Sequence, residues 1–270
     1  MLLSAKAFNL AFMRNKILIY CDYGTNDINN LKRGLEEYFR PRGIDVGITD
    51  AHGIIKDNSL NEDVLAFVMP GGRATPYLEK LKMQGNQAIS HYVAGGGQFL
   101  GICAGAYYAS RKVYFETDIK ELSIIQECGL NILDAETVGT LYKELNISPY
   151  TKDFNSISAV RIRWLADKQC YTACYHGGPY FRLNHQSNIT VLAEYDLPKR
   201  HLPAIIMQDY GKGKVIGCGL HIEDKGTDLQ RFLFTLHKDK GKAQKVITTL
   251  EQNEKSRLLL FNKVMDYLQK

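Results

Sequence analysis

The stretch Gly95-Gly-Gly-Gln-Phe-Leu-Gly-Ile-Cys103-Ala-Gly-Ala-Tyr-Tyr-Ala-Ser110 decides how the chain is read. Its first part, Gln98 to Ile102, predicts a short apolar strand. Its second, Gly105 to Ser110, predicts a helix of small residues, and Cys103 stands at the bend between them. A sharp strand-to-helix turn of this kind is a nucleophile elbow, which lifts the side chain at the bend out at the C-terminal edge of a sheet. Gly101 and Gly105 flank the cysteine because strand and helix approach too closely there for Cβ atoms. The start of the helix would favour a thiolate through its dipole and its free N–H groups. A buried structural cysteine ahead of an ordinary helix is the plainer alternative, and the small residues after the bend argue against it.

Outward from the elbow, short β-branched runs alternate with longer helical patterns, the signature of βαβ units and a mainly parallel sheet. Strands are expected at Lys16 to Tyr20, Asp45 to Thr49, Val64 to Met69 and Gln98 to Ile102, with a first helix from about Asn29 to Phe39. Further helices are expected around Tyr77 to Lys82 and from Gly85 to Ala94. Residues 113–149 mix acidic and polar positions with some helical periodicity, and read as an inserted, partly irregular region without its own core. Strand-like stretches then crowd together, at Ser158 to Trp164, Cys170 to His176, Ile189 to Tyr195, Ala204 to Asp209 and Lys214 to Gly219. Gly211 and Gly213 join the last two as an antiparallel hairpin. Helices near Leu229 to Leu236 and Gln252 to Leu268 close the chain. With no repeat, low-complexity tract or linker in view, residues 16–270 read as one α/β domain behind an N-terminal extension, residues 1–15.

A thiol nucleophile needs a base, and the base needs an acceptor to orient it. His221 follows the apolar strand Lys214 to Gly217 in the Gly-rich segment Gly217-Cys-Gly-Leu-His221-Ile-Glu223-Asp. It would therefore sit at a strand end, where open α/β sheets place their sites. Glu223 can reach the far imidazole nitrogen and fix its tautomer. His176 and His185 also flank apolar strands and stay open as alternative bases. Met69-Pro70-Gly71-Gly72 ends the strand before the elbow strand, and its N–H groups, with that of Ala104, would form an oxyanion hole.

Composition sets the outer bounds. The chain has 270 residues, 45% hydrophobic and 23% charged, with a formal net charge of +5. The basic residues are scattered rather than gathered into a stripe, so nucleic acid is not expected as a partner. No run of 18 or more apolar residues occurs, so no membrane partner is expected either. The first twelve residues are apolar but interrupted by Lys6 and Asn9, which suits an extension better than a secretory signal. Six irregularly spaced cysteines in a chain of this size suggest free thiols and a reducing, cytoplasmic compartment. Cys170, Cys174 and His176 fit no common zinc spacing, and no metal or cofactor is expected.

Pro70-Gly-Gly, then Gly101-Ile-Cys-Ala-Gly-Ala-Tyr107, then His221-Ile-Glu223, in that order, resemble the class I glutamine-amidotransferase superfamily. Gly101 to Ser110 and Tyr175-His-Gly-Gly-Pro-Tyr-Phe181 further resemble the amidotransferase-like domain at the N-terminus of eukaryotic biotin–protein ligases, also found as stand-alone bacterial proteins. The resemblance covers about Lys16 to Glu223. It implies a doubly wound, flavodoxin-like α/β fold, with a mainly parallel sheet, helices on both faces and a small antiparallel extension. It further implies Cys103 as nucleophile, His221 as general base and Glu223 as its orienter. Gly72 and Ala104 would be oxyanion donors, and the loop Gly177-Gly178-Pro179-Tyr180 a border of the pocket.

The chain also departs from the superfamily pattern. Glutaminases of the superfamily carry Gln four residues after the nucleophile, where Tyr107 stands here. They also work beside a synthetase that consumes ammonia. Branches with peptidase or deglycase activity often place His directly after the nucleophile, where this chain has Ala104. The Gly-Arg-Gly nucleotide loop of biotin ligases is absent from the sequence, so the ligase reaction is not expected of it. The expectation is a cysteine-dependent amide hydrolase or amidotransferase-like protein acting on a small-molecule amide or carboxylate, with a protein partner left open. The alternative is a non-catalytic ligand-binding or regulatory domain, with Tyr107, Tyr108, Tyr175, Tyr180 and Phe181 as an aromatic rim.

Overall fold

A computed structural model describes residues 14–269 apart from 27, 152–153, 185 and 234–239. The first part of the chain forms β1 (Lys16–Tyr20), α1 (Asn29–Phe39), β2 (Asp45–Thr49), α2 (Ala51–Ile55), β3 (Val64–Met69), α3 (Ala74–Ala94), β4 (Gln98–Ile102) and α4 (Ala104–Ala109). The middle forms β5 (Ser110–Phe115), β6 (Ile124–Glu127), β7 (Leu133–Gly139) and α5 (Tyr142–Leu145). Then follow β8 (Ile157–Trp164), β9 (Cys170–His176), β10 (Tyr180–Leu183), β11 (Ile189–Leu197), β12 (Arg200–Tyr210) and β13 (Gly213–Cys218). Helices α6 (Gly226–Leu233), α7 (Lys240–Gln252) and α8 (Glu254–Leu268) complete the described chain.

Nine strands share one sheet in the order β2-β1-β3-β4-β13-β12-β11-β8-β9. From β2 to β13 neighbours run parallel, and from β13 to β9 antiparallel. The α/β architecture with helices on both faces is therefore what the chain adopts, with an antiparallel extension four strands wide. Strands buried on both faces read as continuous apolar runs, and their side chains still sort by the period of two. Ile17, Ile19, Ala66, Val68, Leu100 and Ile102 enter one core, against Leu31, Leu35 and Phe39 of α1 and Leu260, Phe261 and Val264 of α8. Leu18, Tyr20, Phe67, Met69 and Phe99 enter the other, against Ile54 of α2 and Tyr77, Leu81 and Ile89 of α3.

α3 carries a non-helical Lys82 (φ 53°, ψ −163°), so its two halves correspond to the two separate helices read in the sequence. Residues 113–149 differ from the expectation of a partly irregular, helix-leaning insert. They supply three strands of a second sheet, in the order β10-β7-β5-β6, with β5 and β7 parallel. Helix α7 is absent from the sequence reading. The part of the expected Leu229 to Leu236 helix beyond Leu233 lies outside the described residues, as do residues 1–13 of the expected extension. Among the described residues, no helix is long and apolar enough to cross a membrane.

The neighbouring ends of β3, β4 and β13 position the site. Their C-terminal edges lie side by side in the sheet and lead into Pro70–Gly72, Cys103 and Gly219–Asp224 respectively.

Candidate active site

Cys103 caps β4 with φ 48° and ψ −105°, a conformation that a residue with a Cβ rarely adopts. Its backbone is fixed on both sides. The N–H donates to the Cys218 carbonyl of β13 (2.8 Å), and the carbonyl accepts from Ala106 and Tyr107 (3.0 Å each). The flanking glycines are sterically required: a Cβ on Gly101 would stand 2.6 Å from the Gly105 carbonyl carbon, and one on Gly105 would collide with the Met69 carbonyl. Helix α4 has only six residues, so it offers the cysteine no long dipole, and the Gly105, Ala106 and Tyr107 N–H groups of its first turn are already given to the Pro70 and Cys103 carbonyls. Ala104 opens that turn.

His221 and Glu223 are both buried and hydrogen-bonded, Nδ1 to Oε1, at 2.9 Å. With Nδ1–H given to the carboxylate, Nε2 is the basic nitrogen. Burial disfavours the imidazolium, but the Glu223 charge, the Cys103 charge and hydrogen bonds with both outweigh it. The imidazole is held well above its ordinary basicity. The Cys103 thiol also has the His176 carbonyl as an acceptor, at 3.5 Å. The histidine loop is pinned where it leaves the sheet, because the His221 N–H donates to the Cys174 carbonyl of β9 (2.9 Å).

Gly71 lies flat against the imidazole, where a Cβ would come 2.5 Å from Cε1. Gly72 has φ 147° and faces Thr25 in an isolated antiparallel bridge. The bridge's hydrogen bonds run through the residues on either side, Arg73 N–H to Gly24 and Asn26 N–H to Gly71. Gly72's own N–H is therefore turned away from the strap that Thr25 belongs to, as an oxyanion donor requires.

Two cavities meet at these residues. One, of about 540 Å³, is lined by His221, Glu223, Asp224, Gly71 and His176. The other, of about 390 Å³, is lined by Cys103, Ala104, Gly72, Tyr107 and Gly177. Tyr23, Arg73 and Tyr150 line both.

Several residues fall elsewhere than the sequence suggested. Gly177 borders the cysteine-side cavity, but Gly178 and Tyr180 line neither. Gly178 packs on the Gly219 backbone, and half-buried Tyr180 packs on the core in β10. The expected aromatic rim is largely core: Tyr108, Tyr175 and Phe181 are buried. The Tyr175 hydroxyl donates to the Gly178 carbonyl (2.9 Å), and the Tyr107 hydroxyl to that of Gly177 (3.1 Å). Of the alternative bases, His176 stacks on Tyr150 with ring centroids 5.3 Å apart, its Nε2 lying 2.9 Å from the Thr151 carbonyl. His185 lies outside the described residues.

Tyr150, Arg73 and Asp224 escaped the sequence reading. Tyr150 is set by the second sheet: its N–H donates to the buried Glu116 carboxylate (2.7 Å), and its ring meets Phe115 edge-on. Asp224 accepts from the Asn30 amide (2.8 Å) and stands 3.8 Å from His221 Nδ1. Burial, then the neighbouring Glu223 charge, push its carboxyl up to about 6. One ligand atom each of His221, Glu223 and Asp224 lie within 4.8 Å of one another, so an ion there would compete with the His221–Glu223 bond. Cys170 and Cys174 stand four residues apart along β9, about 13 Å at strand rise, and cannot converge on one ion.

The family described as the N-terminal part of biotin–protein ligase matches residues 15–269. The chain belongs to this family. As a member of the biotin–protein ligase N-terminal family it is similar to an uncharacterized protein of Chlamydia muridarum, 29% identical over 212 residues covering 77% of this chain and 80% of that one. It is also similar to the biotin–protein ligase of Schizosaccharomyces pombe, 28% identical over 162 residues. That match covers 58% of this chain but only a quarter of the ligase. Among solved structures, a glutamine amidotransferase of Thermotoga maritima superposes with a TM-score of 0.56 at 18% identity, covering 95% of this chain and 99% of that one. Another glutamine amidotransferase reaches 0.54 at 17% identity, over 76% and 90%. The likeness is one of fold, the class I glutamine-amidotransferase-like α/β fold.

Proposed function

We propose that this protein is a cysteine-dependent enzyme of the amide hydrolase or amidotransferase-like type. In this reading the Cys103 thiolate attacks a carboxamide carbonyl. Gly72 and Ala104 N–H groups hold the oxyanion, and His221 Nε2 hands its proton to the leaving nitrogen, giving an acyl-enzyme. His221 then takes a proton from water to release the acid. Glu223 keeps the imidazole in the tautomer both steps need.

One observation carries the reading: a buried His–Glu pair set against a cysteine held at φ 48°. Such a backbone conformation costs about 1–3 kcal/mol and persists only where the surroundings over-determine it, most often at functional sites. A free thiol nucleophile also fits a reducing, cytoplasmic setting, and all six cysteines are unbridged.

The test is the rate of iodoacetamide alkylation at each cysteine, resolved by peptide mass spectrometry. Cys103 is expected to react fastest, and His221→Ala to slow it about a hundredfold, the scale of a positioned acid–base group. A Cys103 no faster than buried Cys174 or Cys218, or indifferent to His221→Ala, would sink the triad.

A second reading, a non-catalytic ligand-binding or regulatory domain, draws on Tyr107. Its ring occupies the position where glutaminases carry Gln, and its hydroxyl is committed to the Gly177 carbonyl. For the same reason glutamine is a poor candidate substrate, and the enzymatic reading takes another small-molecule amide.

A further inference from the structure

The two cavities differ in chemistry. Beyond Cys103 the walls are largely apolar, with Val113, Phe115, Ile124 and Tyr107 supplied mostly by the second sheet. Beyond His221 stand Glu223 and Asp224. Acyl transfer divides a substrate at the same place: the acyl carbon bonds to Sγ, while the leaving nitrogen must lie toward the imidazole that protonates it. The acyl half therefore belongs to the cysteine side and the amine half to the histidine side.

The histidine-side cavity has negative charge to spare. Glu223 Oε1 is taken by His221, but Oε2 is buried with no hydrogen-bond partner. Asp224 uses one oxygen for Asn30, and its other stands 3.8 Å from His221. Of the basic groups nearby, Arg33 is engaged with Asp228 (2.8 Å), and Arg257 with Glu254 and the Ile222 carbonyl. Arg73 is exposed, at the margin common to both cavities. The His221 imidazole thus stands beside two carboxylates, and the Asp224 carboxyl is raised by its burial first and by the neighbouring Glu223 charge second.

We propose that the substrate is an amide joining an apolar acyl chain to an amine that carries a second, positively charged group, with Asp224 receiving that charge. Asp224 then selects the amine half. The inference rests on the acyl-enzyme at Cys103 proposed above. In the forward step the Sγ–C bond forms, the C–N bond breaks, and the His221 proton goes to the nitrogen. In reverse, a free amine entering the histidine side takes the acyl group from sulfur and returns its proton to His221.

The reverse step gives the test. The full chain is acylated with p-nitrophenyl hexanoate, and hexanoyl-Cys103 is followed by intact mass, with Cys103→Ala as the blank. Its decay is then compared in 1,4-diaminobutane and in 4-amino-1-butanol at equal free-amine concentration. The diamine is expected to deacylate it at least about tenfold faster, the scale of a hydrogen bond to a charged group. Asp224→Asn should reduce that ratio below about twofold. The ratio is internal to each protein, so a change in His221 basicity acts on both amines and cancels. Rising salt should lower the wild-type preference, a check that needs no variant. An acyl-enzyme that reacts equally with both amines, or keeps its preference in Asp224→Asn or at high salt, overturns this inference and leaves the triad standing. Absence of acyl-Cys103 overturns both.

Discussion

The candidate site is walled in two different ways. Its floor is backbone: Cys103, Gly71 and Gly105 stand at strand ends packed so closely that a single Cβ on either glycine would strike an imidazole or a carbonyl. The wall shared by its two cavities is side chain: Tyr150 leaning on His176 and Phe115, and Arg73 with its guanidinium 5.1 Å from the Tyr23 ring centroid. At Gly105 the neighbour is backbone and cannot rotate away, and at Gly71 it is an imidazole already held by Glu223. Stacked rings can exchange partners. The floor should therefore be where the protein is brittle, and the wall where it is adjustable.

The sharpest way to break that contrast is Gly105→Ala. Its methyl meets the Met69 carbonyl, and separating α4 from β3 is expected to remove about 3 kcal/mol of stability, the upper range for overpacking. Urea unfolding measures it, and a loss below about 1 kcal/mol would mean the floor can give.

An effect of at most the same size, and of opposite sign, is expected at Asp224→Asn. The carboxyl is raised from 3.8 to about 6 in the folded chain, so the folded state holds its proton to higher pH than the unfolded state does. Wild type therefore loses stability as pH climbs from about 4 to about 6, by roughly 3 kcal/mol for that rise. The variant lacks that loss. It should be the more stable protein at pH 7.5, with the advantage gone below about pH 4. Equal stability of the two proteins across this range would mean that the buried charge is already compensated.

The smallest effect is expected in the wall. Tyr150→Leu should change Cys103 alkylation less than about threefold, and stability by under about 1 kcal/mol, since a half-buried ring is exchanged for another apolar group. A tenfold change would place Tyr150 with the floor.

The same division explains what could be read from the residues. The strands of the parallel half and the elbow were legible because burial on both faces leaves unbroken apolar runs, and close packing leaves glycines. Cys103, Gly71, Gly72, Ala104, His221 and Glu223 are brought to adjacent strand ends as that pattern implies. Residues 113–149 were not legible. β6 is an edge strand with little buried on either side, β5 buries only Ser110 and Val113, and β7 does alternate but turns Ala135, Thr137 and Gly139 inward, small or polar residues that carry little strand signal. Tyr150 owes its place to Glu116, more than thirty residues earlier, and no local pattern announces such a bond. Tyr108, Tyr175 and Phe181 misled in the opposite direction, because an aromatic residue next to a motif does not declare which face of the sheet it will occupy. Asp224 lay in plain view beside Glu223. Its meaning came only from the cavity it faces.

The hydrogen bond from His221 to Cys174 has a mechanical consequence. β13 and β9 are four strands apart in the sheet order, yet the loop that leaves β13 is fastened to β9. The antiparallel half curls until its last strand meets the exit of its first, and the imidazole hangs from the seam. A thermal fluctuation cannot swing that loop outward without parting the seam, so its amide proton should exchange with solvent as slowly as those of the strands themselves, although the residue belongs to none of them.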